Sequence, residues 1–130
     1  MGLDPKDLDL FERIVQCEAG EDIFICRVAV AAVAMNRVRH PNFPNTIRGV
    51  LTQPYQFSPY HPLGITDKAI VDKDSKEAVR LALLGHDPTG GALFFYDHTM
   101  ISRPAWSRGM ARIITIGRVH FYKYGPRQRR

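Results

Sequence analysis

Apolar residues recur at helical spacing near the start of the chain. At about 100° per residue on a helix, Leu8, Phe11, Ile14 and Val15 share one side. Ahead of them Asp4 can cap a helix, Pro5 suits its first position and Asp7 its first turn. The pattern predicts a helix over 5–18, stopped by Gly20. Glu18 falls near the middle of the apolar stripe, whereas Glu12 falls well off it and reads as solvated. Acids are seldom fully buried without a reason. One reason is general acid catalysis, because an apolar wall keeps a carboxyl protonated, with a pKa raised to about 6. The other reading is that the helix ends here and Glu18 bends to water or caps the next helix.

A second helix is predicted over 23–39, with Asp22 as its cap and Pro41 as its stop. Residues 28–35 are apolar on every side, so this helix should be the buried spine of the domain. Asn36, Arg37 and Arg39 then return it to polar surroundings. A rigid turn at 40–45 leads to a short helix over 46–52 capped by Asn45. The stretch 54–64 is dense in aromatics and prolines, and Gln56, Phe57 and Ser58 within it read as a short strand. A helix over 74–84 follows, its inner face supplied by Ala78, Leu81, Ala82 and either Leu84 or Val79, with Gly85 as its stop. Strands are predicted at 92–96, 113–116 and 118–122, the last two meeting at Gly117. Between them lies a loop around Trp106, the single tryptophan. Helices first and short strands late predict an α+β fold.

At 130 residues the chain makes one domain, with a core over about 5–124 and a basic tail over 125–130. The net charge of +5 favours an anionic partner, such as nucleic acid, an anionic wall polymer or a phospholipid surface. No secretory signal is read at the N-terminus, and the longest apolar run is too short to span a bilayer. Cys17 and Cys26 could close a small disulfide loop, but without a secretory signal they are expected to be reduced and buried. The histidines, His40, His61, His86, His98 and His120, lack metal-ligand spacing, so no zinc site is expected. Gly90 and Gly91 precede a strand where a phosphate cradle would precede a helix, and no Ser or Cys nucleophile motif is present. No cofactor is called for.

Several segments, in order, resemble one known family. Glu18-Ala19 followed by acids and by Val28-Ala-Val-Ala-Ala-Val-Ala-Met-Asn-Arg-Val38 is similar to the signature of the cell wall hydrolase family of spore cortex-lytic enzymes (SleB- and CwlJ-like). Phe43-Pro-Asn-Thr-Ile-Arg-Gly-Val50 resembles its FP-x-TI-x-GV segment, and Gln56-Phe-Ser58 its QFS or AFT strand. Gly85-His-Asp-Pro-Thr-Gly-Gly-Ala-Leu-Phe-Phe-Tyr96 resembles G-x-DPTGGALYYY. Thr115-Ile-Gly117 with His120-Phe-Tyr122 resembles the closing TIG-x-HxFY. The resemblance runs from about Leu8 to Tyr122.

This resemblance implies a lysozyme-like α+β fold, akin to lytic transglycosylases, mainly helical with a buried central helix and a small sheet of short antiparallel strands. It implies cleavage of peptidoglycan glycan strands between N-acetylmuramic acid and N-acetylglucosamine. It makes Glu18 the catalytic acid. The family's Glu-Ala-x-Gly-Glu is here Glu18-Ala19-Gly20-Glu21-Asp22, so either Glu21 or Asp22 could be a helper acid, and capping the buried helix is the plainer role for Asp22. Hydrolysis through two carboxylates needs them about 5–9.5 Å apart on opposite sides of the bond. A lytic transglycosylase needs one, since the muramic acid C6 hydroxyl attacks and leaves a 1,6-anhydro ring. Groove candidates for the sugar are Gln56, Ser58, Tyr60, Tyr96 and Trp106, with Arg103 and Arg108 beside Trp106 to meet carboxylates of the wall; Phe57 and Phe95 read as packing.

The expected partner is therefore the peptidoglycan glycan strand, met by a monomer without nucleic acid or membrane insertion. Without a signal peptide, the wall or spore cortex would be reached by deposition on a spore or by phage-type release. The alternatives are a hydrolytic muramidase or glucosaminidase of the same fold, and a non-catalytic basic module that binds wall or nucleic acid.

Overall fold

The computed structural model describes residues 3–53 and 70–126. Helix α1 is Pro5–Ala19, α2 is Phe24–Arg39, α3 is Ile47–Leu51 and α4 is Lys73–Leu83. Strands β1 (Phe94–Asp97), β2 (Ala111–Ile116) and β3 (Val119–Lys123) form one antiparallel sheet in the order β1-β3-β2. A 3-10 turn, Ala105–Ser107, carries the tryptophan between β1 and β2. The strand expected at Gln56–Ser58, and Tyr60 beyond it, lie outside the described residues.

Helix α2 is the spine that its apolar run predicts. Every residue from Cys26 to Ala34 is buried, and the helix touches α1, α3, α4, β1 and β2. Its small side chains let neighbours close in on opposite sides. On one side Ala31 and Ala34 join Phe11, Ile14 and Val15 of α1, Ile47, Val50 and Leu51 of α3, and Val79 and Ala82 of α4. On the other, Ala29, Val30 and Val33 join Ile116, Val119 and Phe121 of the sheet, with Phe95 packed alongside. Among the described residues, no helix is long and apolar enough to cross a membrane.

Local chemistry moves several predicted boundaries. Asp4 caps α1 through the Lys6 N–H, as expected. Gly20 ends that helix in a right-handed conformation, φ −64°, so no left-handed cap is used. Asp22 is not the cap of α2: the helix begins at Phe24, and Ile23 precedes it without a side-chain cap. Asp22 reaches instead across to the sheet. Helix α3 is capped by Thr46, whose hydroxyl accepts from Gly49 N–H, rather than by Asn45. Helix α4 starts one residue early because Asp72 accepts from Ser75 N–H. Its buried face carries Val79, and Leu84 is 65% exposed at the C-terminal end. Both cysteines are free, as expected, but only Cys26 is buried; Cys17 lies on the open side of α1. Glu12 is half-buried, with Lys76 close by, and its carboxyl is raised by that burial.

The resemblance motifs become structural devices. Asp87 closes the Asp-Pro-Thr-Gly-Gly turn by accepting from the Thr89 N–H and hydroxyl at 2.8 and 2.6 Å, and from Gly91 N–H at 2.8 Å. Asn36 of α2 donates to the same carboxylate at 2.9 Å and to Ala92 O at 3.0 Å. The turn that leads into β1 is thereby tied to the spine. At the other end of the sheet, Gly117 turns β2 into β3 with φ +57°, and Asp22 accepts from Arg118 N–H at 3.0 Å and Ile23 N–H at 2.7 Å.

Candidate active site

Glu18 lies in the last turn of α1, half-buried, next to Ala19, which packs under the sheet. The spine opposite it is not wholly apolar. Arg37, expected in polar surroundings, is 3% exposed. Helical spacing explains why: Arg37 comes three and four residues after the buried Ala34 and Val33, on the same side of α2. Its Nε donates to Leu93 O at 2.7 Å, and its guanidinium lies 5.0 Å from the Phe43 ring centre and 5.5 Å from that of Phe94. Burial pulls its pKa down to about 10, and electrostatic interactions with Tyr124 and Glu18 work against that. A buried cation therefore stands within electrostatic reach of Glu18. The same carboxylate contributes, after burial, to raising the Cys17 thiol.

The neighbouring acids are engaged elsewhere. Asp22 has a side chain 5% exposed and also takes the Cys26 thiol hydrogen. Burial favours its neutral form, but the hydrogen bonds from Arg118, Ile23 and Cys26 prevail and hold its carboxyl below the ordinary range. Asp87 is held low in the same way, with hydrogen bonds from Thr89, Asn36 and Gly91 outweighing burial. Asp72 pairs with the buried Arg27 at 2.7 Å. Glu21 is exposed. Among the described residues, no three His, Cys, Asp or Glu side chains gather as a metal site.

From Arg37 a run of aromatic contacts leads across the outer face of the sheet. Phe94 meets Phe43 at 5.9 Å, Tyr124 at 5.3 Å and Trp106 at 5.6 Å. Trp106 in turn sits edge-on to Tyr96 at 6.0 Å and Tyr122 at 5.6 Å. Tyr96 meets His120 at 5.4 Å, and His120 stacks on His98 at 4.3 Å. Strand alternation produces this: Phe94 pairs with Tyr122 and Tyr96 with His120, so all four project to one side. Tyr96 and Trp106, both named from sequence, are thus brought together, Tyr96 8% and Trp106 39% exposed. Phe95 packs inward, as expected. Gln56, Ser58 and Tyr60 lie outside the described residues. Arg37, Phe94, Tyr122 and Tyr124 were not singled out from sequence. The Phe94 and Tyr122 positions could have been found by counting two residues from Tyr96 and from His120 along each strand.

The sequence profile of the cell wall hydrolase family matches residues 22–122 of the chain, beginning four residues after Glu18. The spore cortex-lytic enzyme of Bacillus cereus is 35% identical over 126 residues, covering 94% of this chain and 46% of that protein. The spore cortex-lytic enzyme of Halalkalibacterium halodurans is 35% identical over 111 residues, covering 82% of this chain and 32% of that protein. The chain thus spans about a third to a half of these curated relatives. Among solved structures, the catalytic domain of the germination-specific lytic transglycosylase SleB from Bacillus anthracis superposes with a TM-score of 0.84 at 32% identity. That match covers 94% of this chain and 98% of that domain.

Proposed function

The chain belongs to the cell wall hydrolase family, and on that premise we propose that it cleaves peptidoglycan glycan strands between N-acetylmuramic acid and N-acetylglucosamine as a lytic transglycosylase, with Glu18 as its one catalytic carboxyl. The observation that carries this reading is the match over 98% of a solved domain described as a lytic transglycosylase. The cortex-lytic relatives suggest spore cortex as the form of peptidoglycan.

The chemistry proceeds in two halves. Glu18 gives its proton to the glycosidic oxygen as the bond to the muramic acid C1 breaks. The resulting carboxylate then takes the proton of the C6 hydroxyl as that oxygen attacks C1 and closes the 1,6-anhydro ring. Each half of such acid–base work typically gives about 10²–10⁴-fold. Arg37 supports the cycle by favouring the carboxylate that exists between the halves, a charge interaction strengthened by its burial. Asp22 is a structural acid in this reading, since its oxygens are occupied by Ile23 and Arg118.

The test is digestion of purified peptidoglycan with the products read by mass spectrometry. Anhydro-muropeptides are expected from the native chain. Reducing ends would make it a hydrolase, and co-sedimentation without cleavage would make it a binding module. Glu18→Gln should lower the rate by at least about 100-fold with an unchanged circular dichroism spectrum. Cleavage by Glu18→Gln near the native rate would remove Glu18 from the mechanism.

A further inference from the structure

At the end of the aromatic run away from Arg37, positive charge gathers with no carboxylate paired to it among the described residues. The ion pairs among the described residues engage Arg13, Arg27, Arg48, Arg80 and Arg118. None engages Arg103 or Arg112. Both of these side chains are exposed, and the charges of both reach the Tyr96 phenol. Arg103 is anchored at Ser107, next to Trp106 in the loop, and Arg112 of β2 lies beside His120; the Trp106 and His120 rings both meet Tyr96.

Each guanidinium is also held in place by a neutral partner. Arg103 Nε donates to Ser107 Oγ at 3.0 Å, and the buried Ser107 hydroxyl spends its own proton on Pro104 O at 2.8 Å. Arg112 lies 3.4 Å from His120 Nε2, and His120 Nδ1 lies 2.6 Å from Thr115 Oγ1. An arginine can only donate. His120 Nε2 must then accept, which places the ring proton on Nδ1, facing Thr115. The imidazole is neutral in this arrangement and orients Arg112 without cancelling its charge. Guanidinium groups already oriented lose less freedom when they bind.

We propose that this face is a carboxylate-reading subsite for the glycan, in which a sugar ring lies against Trp106 while Arg103 and Arg112 receive a carboxylate carried by muramic acid. The inference rests on the glycan-cleaving reading above and adds what the enzyme recognises beyond the scissile bond. A sugar presents apolar C–H faces to an aromatic ring. A guanidinium fork matches the two oxygens of a carboxylate. N-acetylmuramic acid differs from N-acetylglucosamine by a lactyl ether, whose carboxyl is free or linked to a peptide that bears carboxylates of its own, except where muramic acid is closed into a lactam. Trp106 alone would treat the two sugars alike, and the arginines make the difference. Arg108, also near Trp106 in sequence, has no such orienting side-chain partner among the described residues.

The experiment is a calorimetric titration of the full chain carrying Glu18→Gln with three oligosaccharides of equal length. The first is an N-acetylglucosamine oligomer, which has no carboxylate. The second is peptide-free glycan with free lactyl carboxylates, and the third is glycan with stem peptides attached. At least one carboxylate-bearing ligand should bind about tenfold or more tightly than the neutral oligomer, and which one does so identifies the carboxylate that is read. Adding Arg103→Ala and Arg112→Ala together should abolish that preference while leaving the neutral oligomer unaffected. Trp106→Ala should weaken all three. Equal affinity for all three ligands would overturn the proposal, as would a preference that survives the double arginine substitution. Cleavage by the native chain is scored separately. Loss of the transglycosylase reading with the preference intact would leave a carboxylate-reading glycan site, and cleavage without preference would remove only the subsite.

Discussion

The same strands of this molecule supply two unlike faces. Phe95, Phe121 and Val119 point to α2, where Ala29, Val30 and Val33 meet them. Phe94, Tyr96, Tyr122 and His120, one residue away on either strand, point outward and meet Trp106 and His98. The inner face is made of groups without hydrogen-bonding tips. The outer face is aromatic too, but Tyr96, Tyr122 and His120 end in a hydroxyl or an imidazole, and Arg103 and Arg112 lie nearby. An outer face needed only for solubility would carry short polar side chains. Apolar rings with polar tips suit a ligand that is itself apolar on its faces and polar at its edges.

The largest effect should come from hollowing the inner face. Phe121→Ala removes a fully buried ring and should cost about 3–5 kcal/mol of stability in urea unfolding. A loss under about 1 kcal/mol would mean that the sheet is not anchored through this face.

Next is the anchor at the hairpin. A Cβ at Gly117 would stand 1.9 Å from Asp22 Oδ1, at φ +57°. A Cβ at Gly85, φ +102°, would meet nothing within 4 Å. Gly85→Ala should therefore cost about 1–2 kcal/mol from backbone strain alone. Gly117→Ala should cost at least about 1 kcal/mol more, since a buried carboxylate loses its geometry as well. Equal losses in thermal melts would show that Asp22 is not a tie between α2 and the sheet.

The two faces should also differ in their pH response. Asp22 and Asp87 have folded pKa values below their unfolded ones, so their stabilisation is present above about pH 4 and is lost as pH falls through the folded values. His120, on the outer face, is also held below its usual value, first by burial and then by His98 and Arg112. Its disfavoured protonation costs stability as pH falls below about 6.5. A stability profile should thus decline in two stages, the lower one larger. His120→Gln should flatten the upper stage and Asp22→Asn should reduce the lower one. A profile flat from neutrality to pH 5 in the native chain would contradict the placement of His120.

The smallest stability effect is expected at Trp106, 39% exposed. Trp106→Ala should cost under about 1 kcal/mol while clearly weakening glycan binding in co-sedimentation. If it unfolds the protein instead, the outer face is core and not a platform.

The order of elements was legible in the chain because each is short and strongly patterned. The stripe of α1, the apolar run of α2 and the glycine turns at Gly85 and Gly117 all appear where periodicity puts them. The caps were less legible, because Asp22, Asn45 and Asp72 are alike in type, yet Asp72 caps α4, Asp22 faces the hairpin, and Thr46 takes the place expected for Asn45. Arg37 was misplaced for a related reason. A cation near a helix end is usually solvated, and only the arrival of β1 with Leu93 O, and of the Phe43 and Phe94 rings, buries it.

By itself, then, the sequence determined the helical spine, the two turns that bound the sheet and the placement of Glu18 at the end of α1, because these depend on neighbours within a few residues. It also carried the family, through ordered motifs. Only the tertiary structure decided that Asp22 would tie α2 to the hairpin, that Arg37 would come within reach of Glu18, and that Arg103 and Arg112 would converge on Tyr96. Asp22 and Arg118 lie 96 residues apart in the chain, and even for the nearer partners no local pattern encodes a distance that only packing sets.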